Sequence, residues 1–81
     1  MPGYSIHSAY EREHRRNARV IVGFIAGDRC SFIRDDAHFA APILQHPIER
    51  VNGYDECSFH MGAFAATRDQ LMHSGRPLVF L

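Results

Sequence analysis

The chain has no lysine, no tryptophan and only two cysteines, and its longest apolar run is the seven residues Val20 to Ala26, Gly23 included. A helix that crosses a bilayer needs about 20 such residues, so this run does not supply one. Nor does it follow directly on a basic start, as a secretory leader requires, because charges of both signs precede it. The expected compartment is the cytoplasm, where Cys30 and Cys57 are expected as buried thiols and not as a disulfide.

An excess of charge is also missing. Nine basic residues, all arginine, are balanced by nine acidic ones. No global field therefore draws the protein to nucleic acid or an anionic membrane. There is no internal repeat, no phosphate-cradling glycine loop, no Ser or Cys nucleophile motif and no aromatic platform among basic residues. A non-enzymatic protein without a cofactor is expected. At 81 residues it is expected to form one domain.

What is present reads as α+β: a small antiparallel sheet of two β-hairpins and a C-terminal strand, packed on one C-terminal helix. Val20–Ile25 and Arg29–Arg34 flank Gly27 and Asp28, and glycine at the first central position suits a type II′ turn. Asn52-Gly53 marks a second hairpin, since both central residues of a type I′ turn need positive φ. Between the hairpins, Asp35 and Asp36 cap a single helical turn that Pro42 stops. The firm helix runs from about Met61 to Ser74, with Gly75 past its end. Residues 1–19 read as a helix or a flexible arm. The expected core is Ile21, Ile25, Phe32, Ile48, Phe59, Phe64, Leu71, Leu78 and Phe80.

A two-residue loop at Gly27-Asp28 puts Ile21, Ile25, Cys30 and Phe32 on one face of the first hairpin and Val22, Phe24, Ala26 and Ile33 on the other. Both faces are apolar, so both need a cover. The C-terminal helix covers one. The other falls to residues 1–19 or to a second copy, which makes Val22, Phe24 and Ile33 candidate partner-facing residues of a homodimer or of a complex with another protein.

Arg68 falls within the apolar arc of its helix. Either its stem lies on the core while its head reaches water, or its guanidinium meets a carboxylate or bound anion at a sheet edge. It is the leading single candidate for partner or anion binding. The expected function is a small interaction or regulatory module.

Two alternatives come from other classes. Arg12, Arg15, Arg16 and Arg19 follow helical spacing and form a stripe able to track a phosphate backbone, a weak and sequence-independent nucleic-acid site. Against it, Glu11 with Arg15 and Glu13 with Arg16 are the pairs of an ordinary exposed helix. The second alternative is a metal site at Cys57 and His60, or at Glu49 and Glu56, which hairpin register sets opposite one another. Strand alternation turns Cys57 and His60 to opposite faces, which weakens the first pair.

Overall fold

Gly27 (φ 62°) turns the chain between β1 (Ile21–Ala26) and β2 (Arg29–Ile33), with Ala26 paired to Arg29 and Ile25 to Cys30. Asn52 (φ 49°) and Gly53 (φ 86°) turn it between β3 (Glu49–Val51) and β4 (Tyr54–His60). Glu49 faces Glu56, Arg50 faces Asp55 and Val51 faces Tyr54. Both turns occur where the glycines and Asn52 place them, because few other residues adopt positive φ at low cost. The computed structural model describes residues 5–81, and the expectation for residues 1–4 lies outside the described residues.

The strands form one sheet in the order β3-β4-β2-β1-β5, with β5 (Leu78–Phe80) at one edge. This is the expected α+β architecture, mostly antiparallel, with one departure: β5 runs parallel to β1, setting Leu78 beside Ile21 and Phe80 beside Gly23. The sheet is mixed.

Three helices cover the sheet, where a C-terminal helix, a single helical turn between the hairpins and a helix or arm before them were expected. On one face α2 (Arg34–Leu44) and α3 (Phe64–Met72) bury Ile21, Cys30, Phe32, Cys57 and Phe59 against Ala37, Ala40, Leu44 and Leu71. Phe32 stacks on Phe59 with ring centroids 6.0 Å apart. On the opposite face α1 (Ile6–Arg16) lays Ala9 and Tyr10 over Val22, Phe24 and Ile33. The chain's own N-terminal helix thus supplies the second cover, and the apolar demand that pointed to a second copy is met within one chain.

The connection between the hairpins is three turns of helix, not one. Pro42 lies inside α2, in its last turn, where it removes the N–H that would bond the carbonyl of His38, itself an exposed residue. Burial of Ala37, Ala40, Ala41 and Leu44 outweighs that lost bond. The helix ends at Gln45 (φ 58°), with the His46 N–H donating to the Ala41 carbonyl. The last helix is shorter than expected: Met61–Ala63 form a 3₁₀ turn before α3. Ile25, expected in the core, is 41% exposed near the tip of the first hairpin.

Among the described residues no helix is long and apolar enough to cross a membrane.

Candidate functional site

Among the described residues, β5 has a neighbour on one side only. The Ile21 N–H donates to the Pro77 carbonyl, the Leu81 N–H to the Gly23 carbonyl, and the Ile25 N–H to the Leu81 carbonyl. Odd-numbered residues of this strand therefore turn their main-chain groups toward β1. Alternation points those of Leu78 and Phe80 the other way, off the sheet edge. Such an edge is a template for pairing with another extended chain.

Beside this edge, on the face covered by α3, lies an open groove of about 630 Å³. Leu78 and Phe80 form its floor, Met72 and Arg68 its helical wall, and Gly75, Arg76 and Pro77 its end. Phe80 is held by the Phe64 ring at 4.8 Å and the Phe32 ring at 6.4 Å. Met72 is 59% exposed, and the buried positions of α3 are Thr67 and Leu71. The burying arc is thus rotated toward Thr67, which leaves Met72 and Arg68 to wall the groove.

Among the described residues the groove is lined by two cations and no anion. They are not equivalent. Arg76 donates from Nε to the Arg19 carbonyl at 2.7 Å and stacks over the Phe39 ring at 4.4 Å, which fixes it as a strut. Arg68 is half exposed, 6.0 Å above the Phe64 ring, and among the described residues its one carboxylate partner is Asp69 at 3.8 Å. A pair so long and so wet contributes little and yields readily to a better carboxylate. The sequence places Arg68 in the apolar arc; the structure sets its guanidinium over the Phe64 ring, where Arg68 lines the groove.

A second polar cluster lies between α1 and α2. β2 leaves the sheet at Ile33 through Arg34, whose φ is 58°, so the Val22 N–H of β1 has no strand partner there. Asp36, 2% exposed in the first turn of α2, accepts that N–H on Oδ2 at 2.9 Å. The His14 Nε2 lies 2.9 Å from the same oxygen. Burial pushes the Asp36 carboxyl up from its ordinary value, while the bonds from His14 and Val22 pull the other way. The expected cap at Asp36 is thus spent on a strand and a neighbouring helix, and no side chain caps α2. Arg34 sits over the Tyr10 ring at 4.6 Å and bonds Glu11 at 3.2 Å. The groups here are already paired to one another and bind α1 to the body of the fold.

The remaining sequence candidates separate. Val22 and Ile33 are fully buried and Phe24 is 7% exposed, so as partner-facing residues they are corrected: they are core beneath α1. The arginine stripe is shorter than its spacing implies, because α1 ends at Arg16 and Arg19 lies beyond it. Arg12 and Arg16 converge on Glu13, at 3.2 and 3.9 Å, and Glu11 pairs with Arg34 in place of Arg15.

Cys57 is in the core while His60 is exposed, accepting the Gly62 N–H and lying 3.5 Å from Asp28. Glu49 and Glu56 do face each other, but among the described residues no three His, Cys, Asp or Glu side chains gather in a way that could hold a metal ion.

Sequence reasoning missed the open edge because local pattern does not set the order of strands in the sheet, which puts β5 at its end. A signal was present: a glycine inside an otherwise apolar strand marks the close approach of another group. Here Gly23 makes room for Phe80. No protein-family model matches the chain, and no curated protein is significantly similar to it.

Proposed function

We propose that this chain is a small non-enzymatic protein-interaction or regulatory module that pairs its β5 edge with an extended segment of another protein. The observation that supports this reading is the outward direction of the Leu78 and Phe80 main-chain groups beside an apolar groove. Main-chain bonds along such an edge give affinity, and the groove gives choice among side chains. The side chains here suit recognition better than catalysis. Among the described residues the groove is lined by no acid, histidine or thiol, and both cysteines are buried in the core.

A homodimer joined edge to edge is the runner-up. It would set Arg68 and Arg76 near their own counterparts in a groove whose lining has no carboxylate, which is why another protein is the proposed occupant. The test is selection from a random heptapeptide library on the immobilised protein, followed by mapping of each binder by amide chemical shifts. The reading requires binders that move the Leu78 and Phe80 amides and protect them from exchange. Binders that all map elsewhere, or no binders at all, overturn it. Sedimentation over a range of concentrations reports a homodimer directly.

A further inference from the structure

Resting on that reading, we infer that the segment taken up by β5 carries an apolar side chain and a carboxylate two residues apart, the carboxylate bound by Arg68. A strand added to β5 turns alternate side chains into the groove, beside Leu78 and beside Phe80. Phe64, at the start of α3, touches Phe80, whereas Met72, at its end, leads into the short turn before Leu78. Helix and edge strand therefore run in opposite directions along the groove, and its two ends differ in chemistry.

The place beside Leu78 lies under Met72, a flexible and largely exposed thioether that suits a branched aliphatic side chain. The place beside Phe80 lies near Phe64, over which the Arg68 guanidinium sits. Arg68 has the reach and the weakly held charge to take a carboxylate there, and the second cation of the lining, Arg76, disfavours a basic occupant. Positions between these two point to the other face of the sheet, beside Val79, and are free to vary.

Acetylated heptapeptides of threonine test this, with a leucine and a glutamate two residues apart in either order, and a control with lysine in place of the glutamate. One of the two glutamate peptides is expected to shift the Leu78 and Phe80 amides, and to bind about tenfold more tightly than the lysine control at low salt. Arg68→Glu is expected to reverse that preference. Arg68→Gln is expected to abolish it without changing the melting temperature, since the side chain is half exposed. Binding at β5 that ignores the charge, or a reversal that fails in Arg68→Glu, overturns the inference and leaves the edge-pairing reading standing. Library binders that reach β5 while both glutamate peptides stay inert also overturn the inference alone. Glutamate peptides that bind away from β5 in a protein whose library binders also avoid it overturn both.

Discussion

Phe80 lies where the side chain of Gly23 would be. A Cβ built on Gly23 comes within 2.7 Å of both Cδ1 and Cε1 of the Phe80 ring, and 3.2 Å from the Cys30 Sγ. The parallel pairing of β5 with β1 brings the two residues into register, and the missing side chain lets the ring approach the strand. The floor of the groove therefore depends on a glycine in a neighbouring strand.

Gly23→Ala should push Phe80 outward, costing about 1–3 kcal/mol as an overpacked site. In urea unfolding this appears as a lower midpoint at an unchanged slope. Phe80→Leu, which makes room, should recover part of the loss in the double variant, so that the two changes are not additive. Strict additivity would show that the two side chains do not meet.

Asp36 is a buried acid with two partners on one oxygen, and its two simplest variants should differ. Asp36→Ala strands the Val22 N–H and should cost about 2–4 kcal/mol, whereas Asp36→Asn keeps an acceptor and should cost far less. The pH dependence follows from the direction of the carboxyl's shift. Burial raises it above the ordinary value of 3.8, so the protonated form is favoured in the fold. Its contribution to stability is fully present below that ordinary value and is lost as pH rises through the raised one. The stability of the wild type minus that of Asp36→Asn should therefore fall with rising pH, which urea titrations of both proteins from about pH 3 to 8 measure. A difference that rises with pH would place Asp36 in a different environment.

Tyr10 is the main apolar anchor of α1, 6% exposed, with Arg34 above its ring and the His14 ring at 4.4 Å. Tyr10→Ala should cost about 3 kcal/mol and loosen the helix from Val22, Phe24 and Ile33. The uncovered face is then an apolar patch of the kind that drives association. Binding of a hydrophobic dye and concentration-dependent sedimentation should both appear in the variant. If neither does, α1 is held by its polar contacts to Asp36 and Arg34.

Both thiols should be inert in the folded protein. Cys30 is fully buried, and burial pushes its thiol up to about 11; Cys57 is raised by burial and by the neighbouring Glu56. The reactive form of cysteine is the thiolate, so alkylation in native buffer should proceed only as fast as the molecule opens. Mass spectrometry after iodoacetamide treatment should find no adduct in native buffer and two in concentrated urea. Prompt labelling of the native protein would show that the face under α2 and α3 opens on its own.

The parts of the fold that could be read in advance depend on neighbours in the chain. Asn52-Gly53 and Gly27-Asp28 predict both hairpins with their register, down to Glu49 facing Glu56, because a two-residue turn leaves one way to pair the flanking strands. Arg68 was visible as an anomaly in an apolar arc, yet the groove that makes use of it was not. Its floor comes from β5, its wall from α3, and its ring support from Phe32 and Phe64, residues far apart in sequence.

Composition and local pattern by themselves determined an α+β chain of two hairpins and a final strand, with greasy side chains on both faces of the first hairpin. Only the tertiary structure decided what covers each face, that β5 lies parallel to β1, that Pro42 sits within a helix and that Met72 faces water. The physical reason is that turns and side-chain alternation are settled within a few residues of backbone. Burial depends on which distant surface arrives, and α1 buries Val22, Phe24 and Ile33 by contacts between segments that local periodicity does not relate.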